Sequence, residues 1–273
     1  MNKNPLVSVL MPAYNAEKYI GEAIESILNQ TFKDFEFIIV NDGSKDNTLK
    51  IIEKYKNRDS RIILINNSVN LKISKSLNTG INLSKGKYIA RMDADDYSYP
   101  HRLERQFKFM ENNPSIGVLG GAMEIINENG KSIGKRTYAS KDKEIRRKMF
   151  RYSPFSHPLI MIRKSVLDLA GLYNSRYDSA EDYELYFRLG VYTKFANLSD
   201  VLLRYRERSK SITLGSTKKM ELKTIKIRNE NLKNKEYKVT TLDNVYNYLH
   251  LFSIYTLPSS LRIKIFNFIR NSK

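Results

Sequence analysis

Cysteine is absent from the 273 residues, which excludes disulfides, thiolate metal sites and cysteine nucleophiles and fits a reducing cytoplasm. Long apolar runs are missing as well. The apolar stretches are too short and too often interrupted to span a bilayer. The first of them, within MNKNPLVSVLMPAYN, is broken by Pro12 and lacks a small-residue cleavage site, so it reads as a first strand rather than a signal peptide. A cytoplasmic protein is expected. Internal repeats and low-complexity tracts are lacking too, and the chain is long enough for one large α/β domain, with or without an appendage. Acidic residues are scarce, 29 against 47 basic ones, for a formal net charge of +18. Such an imbalance suits an anionic partner: nucleic acid, acidic lipid or a phosphorylated small molecule. It is uneven. Val201 to Lys273 carries +11 of the total, and the 200 residues before it only +7.

The first half alternates strand and helix patterns, the signature of a parallel sheet covered by helices on both faces. Strands are expected at Leu6 to Met11, Phe37 to Val40, Ile62 to Ile65 and Tyr88 to Arg91. Helices are expected at Ala16 to Leu28, with Asn15 as its cap, at Leu49 to Tyr55 and at Ser74 to Leu83. After Asp96 the regularity loosens. A helix is read at His101 to Met110, strands at Ile116 to Leu119 and around Leu159 to Ile162, and a hairpin turn at Asn129-Gly130, between Glu124 to Ile126 and Ile133. Another helix starts near Glu181. Past Lys210 the pattern is helical and basic. The expected division is a catalytic domain over 1–210, with a nucleotide-binding region over 1–97 and an acceptor-side region over 98–210, and a basic helical extension over 211–273.

Ligands of open α/β sheets gather at the carboxyl ends of the strands. Three polar segments lie there: Pro12-Ala13-Tyr14-Asn15, Asn41-Asp42-Gly43-Ser44 and Asp93-Ala94-Asp95-Asp96. Three carboxylates within four residues repel one another unless a cation or shared protons offset the repulsion. Hard oxygen ligands favour magnesium or manganese, held by one or two carboxylates together with substrate phosphates. A plain capping role for Asp93 to Asp96 is the bland alternative.

Six segments in order carry a resemblance: Val7 to Asn15 (VSVLMPAYN), Val40 to Ser44 (VNDGS), Asn78-x-Gly80, Gly86 to Ile89 (GKYI), Asp93 to Asp96 (DADD) and Glu181 to Leu189 (EDYELYFRL). Together they resemble the family-2 glycosyltransferases with the GT-A fold, over about Leu6 to Arg206. The resemblance implies a Rossmann-like, mostly parallel central sheet flanked by helices. It also implies inverting transfer of a sugar from a nucleotide diphosphate, with Mn2+ or Mg2+ as cofactor. Pro12, Ala13 and Tyr14 would then line the nucleotide pocket, and Asp42 would accept a hydrogen bond from the base, most often uracil. Asp93 would approach the ribose and donor sugar, Asp95 would be the direct metal ligand, and Asp96 an auxiliary. Asp182 matches the general base, with Glu181 beside it, and Arg206 would contact the diphosphate. His157 falls where relatives often place a histidine near the acceptor, although a lone histidine before proline is also a common structural residue. Two departures stand out. Arg208 occupies a place where a histidine is frequent, which leaves the metal to carboxylates and phosphates, and Lys72 stands where a glycine is common.

The basic extension combines Lys218, Lys219, Lys223, Lys226 and Arg228 with the later apolar residues Leu249, Phe252, Ile254 and Leu257. After a break at Pro258 comes Leu261 to Arg270 (LRIKIFNFIR), and a helix mixing Phe, Ile, Arg and Lys in this way can lie in the headgroup region of an anionic membrane; packing on the catalytic domain or on a second subunit is the alternative. A nucleotide-sugar donor and a glycan or lipid-linked acceptor are the expected partners, in surface polysaccharide or glycolipid synthesis. A nucleotidyltransferase or a nucleic-acid-binding protein are the rival readings, and no recognisable nucleic-acid module supports the second.

Overall fold

The computed structural model describes residues 4–208 and 217–271. Four parallel strands form the heart of one sheet in the order β3-β2-β1-β4: β1 (Val7–Ala13), β2 (Phe35–Asp42), β3 (Ile62–Asn67) and β4 (Tyr88–Arg91). Their residues are almost all apolar because helices cover both faces. Val7, Val9 and Met11 face Ile20, Ile24 and Ile27 of α1 (Ile20–Leu28), whose neighbour is α2 (Thr48–Lys56), and Leu103 and Met110 of α4 (Arg102–Asn112). The alternate residue Leu10, with Ile38 and Val40, faces Leu77 and Ile81 of α3 (Ile73–Leu83). One strand period thus supplies two cores.

Beyond β4 the sheet becomes mixed. β8 (Met161–Arg163) pairs antiparallel with β4 and with β6 (Ile116–Ile126), and β6 runs parallel to the long β9 (Lys194–Arg206). A two-residue β5 (Tyr97–Ser98) closes this edge on β9, and β7 (Ser132–Arg136) forms the expected hairpin with β6, Gly130 taking φ +79 at its turn. β6 joins two segments that read as separate strands. Gly120 in its middle does not break it, because a Cβ there would stand 2.1 Å from Asn197 Oδ1 and 2.8 Å from Phe155. Instead of a strand from Leu159, Pro158 starts a 3-10 turn over His157–Leu159. The short helices α5 (Asp142–Lys148) and α6 (Lys164–Ala170) follow β7 and β8, and α7 (Glu181–Leu189) precedes β9. Asn15 is not the cap of α1. It sits at φ +48, and its Oδ1 accepts the Lys45 N–H (2.8 Å), tying the loop after β1 to the loop after β2.

The boundary expected near 210 lies in 209–216, outside the described residues. Three helices follow: α8 (Thr217–Asn231), α9 (Thr241–Thr256) and α10 (Ser259–Asn271). α8 packs on α7, with Ile227 buried in the second core, and the Tyr237 hydroxyl donates to the Phe187 carbonyl (2.9 Å). A Thr240–Asp243 capping box starts α9, and Arg151 bonds the buried Asp243 carboxylate at 2.7 Å. Among the described residues no helix is long and apolar enough to cross a membrane.

Candidate active site

Parallel pairing sends the carboxyl ends of β1, β2 and β4 to one edge of the sheet, so the three polar segments share that edge. Pro12 and Ala13 are buried at the end of β1, while the Tyr14 ring is 47% exposed beyond them. Asp42 is buried at the end of β2. Its Oδ1 accepts both the Leu71 N–H and the Asn67 amide at 2.9 Å, which leaves Oδ2 for an incoming donor. Gly43, at φ +70, lets the loop after β3 pass: a Cβ would meet the Val69 carbonyl carbon at 2.6 Å. The Asx turn of Asn70 onto the Lys72 N–H (3.0 Å) completes the rim.

An arginine that the sequence did not single out lies at the centre. Arg91, the last residue of β4, is 5% exposed, and its Nη2 meets Asp93 Oδ1 at 2.5 Å, while Nε and Nη1 are buried without a partner. Its charge reaches Asp95, Asp96, His157, Glu181 and Asp182. Only its place as the one charged residue of an apolar strand hinted at this. Arg102 holds the loop from below, donating to the Arg91 carbonyl at 2.6 Å.

The acidic segment divides its tasks. Asp93, partly exposed, pairs with Arg91. Burial pushes the Asp95 carboxyl up to about 6, the Asp93 charge adding to the shift and Arg208 opposing it from 3.4 Å. Asp96 is turned inward: Oδ1 accepts the Arg206 N–H at 2.8 Å, Oδ2 is buried without a donor, and burial raises the carboxyl well above its ordinary range. Arg206 is not placed for the diphosphate contact expected of it. Its guanidinium, 3% exposed, is spent on the Asp95 carbonyl (2.9 Å), on Glu22 (2.6 Å), and on a face contact with Tyr19 at 4.4 Å. Arg208, 35% exposed, stands with its Nε 3.4 Å from the Asp95 carboxylate.

Across the cleft, α7 opens with Glu181 and Asp182. Ser179, at φ +82, points its N–H at Glu181 Oε2 (2.7 Å) and turns the chain so that the acidic pair heads the helix. Burial raises both carboxyls, Glu181 to about 7 with the Asp182 charge contributing. Asp93 adds repulsion at Asp182, which places Asp93 and Asp182 in one field. The Tyr173 hydroxyl lies in the field of both Glu181 and Asp182, and His157 Nε2 is 2.8 Å from it, where burial with the Arg91 charge keeps the ring neutral. Asn78 has a structural task, exchanging two hydrogen bonds with the Tyr173 backbone (2.8 and 2.9 Å).

Hard carboxylate oxygens and the mutual repulsion of Asp93 and Asp95 fit a divalent cation at those two side chains. Among the described residues, no group of three or more histidine, aspartate or glutamate side chains stands ready to hold a metal unaided. Further ligands would come from the substrate.

Comparisons with known proteins agree with this fold. The chain is 37% identical to an uncharacterised glycosyltransferase of Methanocaldococcus jannaschii, MJ1057, over 96% of this chain and 93% of that protein. It is 35% identical to the O-antigen biosynthesis glycosyltransferase WbnJ of Escherichia coli, over 76% of this chain and 81% of the other. The fold matches that of S. aureus TarS 1–349 in complex with UDP-GlcNAc, with a TM-score of 0.71 at 22% identity, covering 93% of this chain and 74% of that one. Residues 8–169 match the model of glycosyl transferase family 2, and the chain belongs to that family.

Proposed function

We propose that the chain transfers a sugar from a nucleotide diphosphate, most suitably UDP, to a hydroxyl of a glycan or lipid-linked acceptor, with inversion at the anomeric carbon. The observation that carries this reading is the half-buried Asp182, opposite the Arg91–Asp93 pair and raised in pKa by burial. Asp42 accepts the base N–H, and the polar rim after β1 and β3 holds the nucleoside. Asp93, fixed by Arg91, meets the ribose and donor sugar. Arg208 reaches the diphosphate from Asp95, the role for which Arg206 is unavailable. Asp95 and Asp93 would hold a divalent ion, which neutralises charge on the departing diphosphate when bound.

Asp182 takes the proton of the acceptor hydroxyl as its oxygen bonds to the anomeric carbon. Attack comes from the face opposite the diphosphate. A carboxyl whose pKa has been raised is a stronger base toward a hydroxyl than an ordinary one, provided it is ionised. His157 and Tyr173 border the acceptor side as a neutral, hydrogen-bonded pair. The resemblance to an O-antigen biosynthesis enzyme supports a role in making a surface polysaccharide or glycolipid. Exposed apolar residues on α9 and the basic composition of the extension support attachment to the inner face of an anionic membrane.

The test is a panel of UDP-, GDP- and dTDP-sugars, scored by thermal stabilisation with and without Mn2+ and by product anomer in NMR. Stabilisation by UDP-sugars and an inverted product support the reading. Release of pyrophosphate from a nucleoside triphosphate would replace it with a nucleotidyltransferase.

A further inference from the structure

A cavity of about 640 Å³, the size of a ligand site rather than a packing defect, lies between the start of α7 and the three C-terminal helices. Its wall takes Asp182 from α7, Met220 and Thr224 from α8, Leu249 and Phe252 from α9, and Ile263 from α10. The acidic and arginine side chains of the wall other than Asp182 already have partners. Glu221 is bound by Arg262 at 2.6 Å, and the Arg228 guanidinium donates to Tyr183, Asn247 and the Arg151 carbonyl at 3.0, 3.0 and 2.6 Å. What remains for a guest is hydrocarbon surface. Asp182, whose hydrogen bonds are to backbone N–H groups at its own helix end, is the exception.

Leu249 and Phe252 line the cavity and are also 57% and 59% exposed, so it opens to the surface on α9. Asp182 thus belongs to the wall on the α7 side, and the side on α9 is apolar and open. We propose that this cavity receives the aglycone of the acceptor, a long hydrocarbon chain, while the acceptor hydroxyl meets Asp182. This rests on Asp182 as the base of the proposed transfer. It narrows the acceptor from any glycan to an amphiphile, and it gives the C-terminal helices a share in the substrate site.

The experiment measures binding of hexyl, octyl and decyl β-glucopyranosides, below their micelle concentrations, to the full chain by calorimetry. Burial of each methylene should tighten binding about fourfold, or roughly 200-fold from hexyl to decyl. Thr224→Trp and Ser253→Phe fill the cavity from two helices and should abolish the chain-length dependence, whereas Leu242→Ser, on the exposed outer face, should keep it. A decyl glycoside carrying a terminal photoreactive group should label the native protein at Met220, Leu249 or Phe252, a result that needs no variant to fold. Affinity independent of chain length, dependence retained in both folded cavity variants, or labelling confined to Tyr248 and Tyr255 would overturn the proposal. Binding that follows the expected pattern in a protein that transfers no sugar would remove the base assignment and leave the cavity a hydrocarbon site. Transfer to free sugars with no effect of chain length would remove the cavity proposal alone.

Discussion

Asp182 and Glu181 share a low-dielectric helix start, and their charge states follow from it. A base works only when ionised, so the raised Asp182 pKa puts the acid limb of kcat/KM above the ordinary carboxylate range, and activity falls as pH drops through it. Asp182→Asn should lower kcat by about 10²–10⁴-fold while thermal stabilisation by the donor is kept; normal transfer by this variant would remove the assignment. Stability has the opposite sign. A folded carboxyl with a raised pKa binds more protons than the unfolded one, so unfolding free energy falls as pH rises from the ordinary glutamate value toward about 7. Glu181→Gln keeps an oxygen for the Ser179 N–H and removes the titration. It should match the parent at pH 4 and melt higher at pH 8, as calorimetry at the two pH values would show. Lys72 sits at φ 70, ψ 168, a region essentially reserved for glycine that costs other residues about 1–3 kcal/mol. Some of that is returned by the greater freedom of glycine in the unfolded chain, so Lys72→Gly should stabilise by about 1 kcal/mol in urea titration. The acidic segment was legible as a candidate because three carboxylates within four residues follow an apolar strand, where their repulsion calls for a compensating charge. Arg91 was not, since a sequence does not reveal whether a guanidinium at a strand end meets water or a wall of carboxylates.

The elements read best where burial was uniform. β1 to β4 have apolar runs flanked by helices of clear period, and there the pattern predicts the sheet closely. Beyond β4 local signals failed for tertiary reasons. β6 stayed one strand because Thr193, Asn197 and Phe155 crowd its glycines, and β5, two residues long, exists only because Arg204 and Leu203 pair with it. The end of β9 shows what such pairing does for the site. Its Arg206 ties the Asp95 carbonyl to Glu22 of α1, and its N–H anchors Asp96, so a strand and a helix far apart in sequence fix the acidic segment. A diphosphate ligand and a brace make different predictions. As a brace, Arg206→Ala should lower stability by about 2–3 kcal/mol without donor present, from lost hydrogen bonds of a buried charge. Arg208→Ala should leave the melting temperature of the free protein unchanged and weaken donor stabilisation instead. Melting curves of both variants with and without UDP separate the two roles.

At the scale of the whole molecule the question is what the C-terminal helices face. Apart from the cavity, their inner side is committed, since Ile227 joins the second core, Tyr237 reaches the end of α7, and Arg151 crosses to Asp243. The outer side of α9 is not polar. Leu242 and Tyr248 are each 70% exposed, Tyr255 66% and Phe252 59%, in a segment from Val201 onward that carries +11. Apolar and aromatic residues on one helix face with a basic surround suit the interface of an anionic bilayer, where the rings enter the headgroup layer and the cations stay outside. Both contributions should be visible separately. Sedimentation with vesicles containing phosphatidylglycerol should carry the protein down at low ionic strength, and pure phosphatidylcholine should do so far less. Raising salt to about 0.5 M, where screening falls to a few ångströms, should release most of it. Leu242→Ser with Tyr248→Ser should weaken binding to the charged vesicles while the melting temperature holds, because neither side chain supports the core. Equal sedimentation with both lipids, or none with either, would leave the charge of the extension without a membrane role and return its exposed face to a protein partner.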